Sequence, residues 1–281
     1  MTYRVLPAQL HVVAEHVKKE VFGKMWGIPA KRVLVETPIA RDVLVTTLHA
    51  RASDHHLLCI DIAERAYVGS LDAFVIHCQN EGLPVKLYVA SPPATSAGTF
   101  QRDLMKARNN GVGVIVTDGS DPPNVVAEAV PLSVTGLRRV DVAAFPAKLR
   151  QPLSTAVATF RSGNPSKGCS ALYDEIEALT RRAAERAVRR NAWNGKAPNA
   201  KTGPWAKLTQ ALLSDVDLKA AGLPRLSAAL LGRVLGITAH RNDSSHRPNS
   251  LHALQRRDSE LRTRFETAVD LLRDLAAAVR P

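Results

Sequence analysis

Along residues 8–26, apolar side chains recur every three to four positions. Leu10, Val13, Val17, Val21 and Phe22 share one side, which predicts an amphipathic helix closed by Gly27 and Pro29. The period then shortens. Three runs rich in β-branched and aliphatic residues, 32–36, 42–48 and 56–62, read as strands, with Ser53–His56 as the turn between the last two. A helix over 69–81 follows, stopped by Gly82 and Pro84. Next come a strand over 85–90, a helix over 100–110 with Gly111 as its stop, and a strand over 112–117. Strands alternating with helices predict an α/β layer containing some parallel pairing.

Beyond residue 120 the pattern loosens, punctuated by Pro122, Pro123, Pro131, Pro146 and Pro152, and 162–166 (Ser-Gly-Asn-Pro-Ser) reads as a linker. A domain boundary is expected at 150–165. From there on only helical spacing is found. A long helix is expected over 166–190 with Leu172, Ile176, Leu179, Ala183 and Val188 inward, then a polar loop over 192–203. Short helices follow over 204–214 and 223–239, then a loop over 242–249 and one or two helices over 250–279. The expected fold is thus an α/β N-terminal domain, residues 1–155, plus an all-α C-terminal helical bundle, residues 166–281.

Charge sharpens this division. Of 38 Lys+Arg and 26 Asp+Glu in 281 residues, residues 1–150 hold 17 and 14, leaving 21 and 12 for the rest. The excess of +12 is therefore concentrated in the helical half, where a basic surface favours a polyanionic partner. Cys59, Cys78 and Cys169 are odd in number and widely spaced. They suit neither a disulfide framework nor a zinc site and are expected to be buried in a reducing cytoplasm. No apolar run approaches the ~18–20 residues of a membrane span, and 1–6 lack the features of a signal peptide. A cytoplasmic protein with no membrane partner is expected.

In the N-terminal half the order is helix, three strands, helix, strand, helix, strand, with Ile60-Asp61-Ile62-Ala63-Glu64 on the third strand. This order resembles the PD-(D/E)XK restriction-endonuclease-like fold. The resemblance implies Asp42 and Asp61 as an acidic pair for Mg²⁺, with a lysine two positions after the second acid. Position 63 is alanine, and Glu64 and Arg65 are out of register. The expectation is a degenerate, sensory or regulatory domain, with Mg²⁺-dependent DNA cleavage as the alternative. His49, His55 and His56 near Asp54 match no strong metal-ligand spacing. Gly111-Val112-Gly113 precedes a strand and lacks the third glycine of a dinucleotide fingerprint. No cofactor or metal is expected.

The C-terminal half carries Arg241-Asn242-Asp243-Ser244-Ser245-His246 between two helices of a basic bundle. This R-N-x-x-x-H pattern resembles the HEPN family, over about residues 166–281. The chemistry suits RNA, which supplies its own 2′-OH nucleophile. A histidine near its ordinary pKa of about 6.5 transfers protons at neutral pH. An arginine remains charged and forks onto phosphate oxygens. The resemblance implies a metal-independent endoribonuclease with Arg241, Asn242 and His246 as catalytic residues. It further implies a homodimer through the bundle, with both chains contributing to one cleft, and a toxin or anti-phage effector held by an inhibitory or activating partner. His240, Arg247 and Arg186 are candidate substrate-binding residues. Trp193 and Trp205, flanking a basic loop, can stack bases or anchor the loop. Two competing readings remain open. Arg241 and Asn242 can simply end a helix, the one complementing its dipole and the other stopping it, and the bundle can bind nucleic acid or act as a scaffold without cleaving.

Overall fold

The computed structural model describes residues 3–39, 45–195, 198–242 and 250–280. The chain forms two compact units. The first comprises Met1–Gly136, Arg161–Gly163 and Pro248–Ser259; the second comprises Leu137–Phe160, Asn164–Arg247 and Glu260–Pro281. The main division therefore falls at Gly136/Leu137, ahead of the expected 150–165, because the proline-punctuated segment before residue 161 contains a helix that packs in the second unit.

The first unit is built on a six-stranded sheet in the order β1 (Leu34–Val35), β2 (Leu48–Arg51), β3 (Leu57–Ile62), β4 (Val85–Ser91), β5 (Gly113–Val116), β6 (Asn124–Ala127). The first three strands form an antiparallel meander, β3, β4 and β5 are mutually parallel, and β6 returns antiparallel. Apolar layers cover both faces. On one, α1 (His11–Val17) and its π-helical continuation Lys18–Met25 pack Val13, Val17 and Phe22 against Leu48, Ile60, Tyr88 and Ile115. On the other, α2 (Leu71–Asn80) and α3 (Ala97–Asn109) pack Phe74, Cys78, Leu104 and Ala107 against Cys59, Leu87 and Val89. Burial on both faces explains why β4 reads as a near-continuous apolar run and not an alternating one. Val13, Val17 and Val21 stand in a strict every-four row, which drifts around a 3.6-residue helix; passing into wider π winding keeps all three buried.

Element order in this unit follows expectation; of the predicted strand 42–48, residues 42–44 lie outside the described residues, and β2 spans Leu48–Arg51. Pairing sets its position: Leu48 lies opposite Ile60 and Arg51 opposite Leu57, and the hairpin closes where the Ala52 amide donates to His56 O at 2.9 Å. Strand β6 and the short helix α4 (Leu132–Thr135) lie in the proline-rich stretch that had no predicted element.

The second unit contains α5 (Ala147–Arg161), α6 (Pro165–Arg189), α7 (Trp205–Ser214), α8 (Ala228–Thr238) and most of α9 (Leu251–Ala278). Helix α5 was obscured by Pro152, a residue that breaks a helix interior at about 3 kcal/mol. Yet Leu149, Leu153, Ala156 and Phe160 keep helical spacing, and all four are buried. The rings of Phe160 and Phe265 meet at 4.5 Å. In α6, Leu172, Ile176, Leu179 and Ala183 point inward as expected. Val188 is exposed, and Ala187, four residues after Ala183, takes the buried place. Helix α8 begins five residues after the expected start at 223, because Pro224 precedes Ser227, whose hydroxyl caps it by accepting from the Leu230 amide. Residues 250–279 give one helix, not two. Among the described residues no helix is long and apolar enough to cross a membrane.

Candidate functional site

The apolar face of α8, made of Leu230, Leu231, Val234 and Ile237, is buried and fixes the helix in its unit. A 3₁₀ turn, Ala239–Asn242, continues directly from its last residue. Ser250 prepares the next helix, its hydroxyl accepting from the Ala253 amide at 3.1 Å. The Arg241–His246 stretch thus leaves one helix end and precedes another. His240 is half-buried. The side chains of Arg241 and Asn242, and the whole of His246 and Arg247, lie outside the described residues.

Arg186 does not join this stretch. Its Nη1 donates to the Arg280 carbonyl at 3.3 Å, just past the C-terminus of α9, and its guanidinium covers Gly222, where a Cβ would stand 3.2 Å from Nη2. The last turns of α9 meet the N-terminal part of α8, where Arg233 pairs with Asp274 at 2.6 Å. Arg186 and Arg241 therefore belong to opposite ends of α8. Arg181 is also structural. It pairs with Glu177 and donates to Ala200 O and Gly203 O, both at 2.9 Å, which pins the loop after α6. Trp205 is buried, and Trp193 is half-buried with its backbone bridging to Val216.

In the first unit, Asp42 lies outside the described residues. Asp61 sits at the end of β3, where its carboxylate accepts from Thr47 Oγ1 at 2.9 Å. Burial pushes the Asp61 carboxyl up, opposed by its hydrogen bonds with Thr47. Ala63 is buried, and no lysine occupies its place. Glu64 accepts from the Gln9 amide at 3.0 Å. Arg65 forks onto Asp103, with Nε and Nη2 at 2.9 and 2.8 Å from its two oxygens. His49 is buried, its Nδ1 lacks a hydrogen-bond partner among the described residues, and burial pushes its pKa down. His56 Nδ1 lies 3.0 Å from Asp54 Oδ2, which also meets Lys86 Nζ at 3.2 Å. Among the described residues no three His, Cys, Asp or Glu side chains converge as a metal site. The three cysteines are free and buried, as expected.

Sequence reasoning missed the Arg65–Asp103 pair. One sign of it was legible. Asp103 adjoins Leu104 and stands four residues before Ala107, which places it on the buried face of α3, and a carboxylate there requires a partner. The partner, 38 residues earlier, could be found only through the fold. No protein-family model, no curated protein and no solved structure matches the chain.

Proposed function

We propose that the helical unit is a HEPN-type, metal-independent endoribonuclease that works as a homodimer. The α/β unit acts as its sensory or regulatory partner, in the role of a toxin or anti-phage effector. The observation that carries this reading is the Arg241-Asn242-x-x-x-His246 spacing directly after the α8 terminus and ahead of α9. In this reading His246 moves the protons: it takes one from the 2′-OH or gives one to the departing 5′-oxygen. Arg241 stabilises the charge of the pentacoordinate phosphorane, and Asn242 orients the phosphate or the imidazole. One copy supplies half a cleft, and a second copy completes it. The concentration of positive charge in residues 151–281 suits an RNA substrate.

The purified full-length protein is expected to cleave RNA in EDTA and to leave 2′,3′-cyclic phosphate ends. Arg241→Ala and His246→Ala should each reduce the rate by roughly 10²–10⁴-fold, the usual contribution of a positioned acid–base or charge-stabilising group. Equal cleavage by wild type and both variants would overturn the proposal. Cleavage abolished by EDTA would instead direct attention to Asp42 and Asp61.

A further inference from the structure

At the carboxyl ends of β3 and β4 the α/β unit opens into a cavity of about 440 Å³, bounded by the loops after both strands and the first turns of α3. A second cavity of about 330 Å³ shares Arg65, Arg102 and Asp103 with it and extends to Lys106. Both have the size of small-molecule sites, and the carboxyl ends of parallel strands are where open α/β sheets bind ligands.

The cavity's chemistry is asymmetric. Asp103 is 3% exposed and binds Arg65 through two hydrogen bonds, so one guanidinium is held rigidly at the wall while its Nη1 has no partner among the described residues. Arg102 is exposed, and neither it nor Lys106 has an acidic partner among the described residues. The lining also holds two carboxylates: Asp103, paired within the cavity wall with Arg65, and Glu64, which accepts from the neutral Gln9 amide. Over the two cavities together three cations, Arg65, Arg102 and Lys106, stand against two carboxylates, Glu64 and Asp103, a formal excess of one positive charge, and the N-terminus of α3 adds to it. The apolar part of the lining is Phe100, Pro92 and Pro93 beside Ala66 and Ala94.

We infer that this cavity binds a phosphorylated small molecule of nucleotide size, with the phosphate on Arg65 and Arg102 and a flat apolar moiety against Phe100 and Pro93. A preset guanidinium fork suits a phosphate, since the alignment of its donors is fixed before binding. A volume of about 440 Å³ suits a mononucleotide. This inference is independent of the ribonuclease reading, because its readout is binding and not cleavage.

The test is calorimetric titration of the full-length protein with AMP, GMP, CMP, UMP and inorganic phosphate. At least one nucleotide should bind once per chain and more tightly than inorganic phosphate. Arg102→Ala should weaken that binding by roughly tenfold or more, as loss of a charge-assisted contact does. Arg102 is exposed, so the variant should fold, and a thermal melt checks this. Arg51→Ala, at the opposite end of the sheet, should bind as wild type does. Three outcomes would overturn the inference: no binding of any nucleotide, binding unchanged in folded Arg102→Ala, or binding confined to a single-stranded RNA oligonucleotide.

Discussion

The two units of this chain organise polar groups in contrasting ways. In the α/β unit, carboxylates enter the interior and are satisfied there: Asp103 by Arg65, and Asp258 by Ser133 Oγ at 2.5 Å. In the helical unit the ion pairs that join different segments, Arg138–Asp270 and Arg233–Asp274, lie at the surface, Arg181–Glu177 is a part-buried pair within one helix, and Phe160 and Phe265 pack together in the apolar core. Its buried threonines, Thr180 and Thr209, donate to carbonyls one turn back in their own helices. The candidate sites follow the same division. The Arg241–His246 set is contiguous and sits at a helix end, whereas the β3/β4 cavity joins side chains from segments some forty residues apart. A contiguous set can be recognised by spacing alone; a composite one exists only after folding.

If that division is functional, the largest effects should separate cleanly. Arg241→Ala and His246→Ala should lose RNA cleavage while keeping nucleotide binding, and Arg102→Ala should lose binding while its basal cleavage in EDTA persists. Measuring both activities in all three variants checks the separation. A variant that lost both while remaining folded would show that the two sites are one system.

In the helical unit the next largest effect should come from apolar volume. Phe265→Ala removes a fully buried ring that packs on Phe160, and it should destabilise the protein by about 3–5 kcal/mol through lost transfer energy and the residual cavity. Denaturant melts with unchanged slope would measure this. A loss below about 1 kcal/mol would mean that the bundle does not rely on this core.

The same contrast explains what was legible in the sequence. The α/β element order was readable because hydrophobic period changes at each element. Strand β4 identified itself by being apolar on both faces. The α6 helix was readable from Leu172, Ile176, Leu179 and Ala183. The span of β2 was not, because cross-strand register and not local preference decides it. Helix α5 was hidden because one proline outweighed four correctly spaced apolar residues. At the candidate sites, the Arg241–His246 spacing is a feature of the sequence itself, whereas the surroundings of Arg186 are not. On a helical wheel it resembles any solvent-facing cation, and only the placement of Gly222 and Arg280 shows that it is engaged in packing. The cavity was illegible, since nothing local joins Arg65 to Asp103.

The α/β unit should instead respond to added volume. Gly113 on β5 lies so close to its neighbour that a Cβ would stand 2.3 and 2.5 Å from ring atoms of Tyr88 and 2.8 Å from the Ala129 nitrogen. Tyr88 cannot easily retreat, because it is buried and its hydroxyl donates to Glu128 at 2.8 Å. Gly113→Ala should therefore destabilise by about 1–3 kcal/mol despite the better strand propensity of alanine. The double variant Gly113→Ala with Tyr88→Phe tests the cause. Removing the hydroxyl should recover part of the loss if the Glu128 bond holds the ring in place, and none of it if backbone crowding at Ala129 dominates.

The smallest effect probes the polar interior most directly. Burial pushes the Asp258 carboxyl up, opposed by the Ser133 hydrogen bond and by His56 and Arg257. Its folded pKa thus lies above its unfolded value, near 3.9. Between those two values the folded chain holds more protons than the unfolded one, so this group's contribution to stability declines as pH rises through that window. Above it, a charged carboxylate is held where a neutral acceptor would fit better. Asp258→Asn keeps an oxygen for Ser133 without the charge. It should match or exceed wild type by up to about 1 kcal/mol at pH 7.5, with the gain fading below about pH 4, where the native carboxyl is already neutral. Paired melts at the two pH values measure this. A variant that is less stable at pH 7.5 and equal at pH 4 would reverse the sign, because the attraction of Arg257 and His56 would then outweigh burial, and the α/β interior would be stabilised by this charge and not merely tolerant of it.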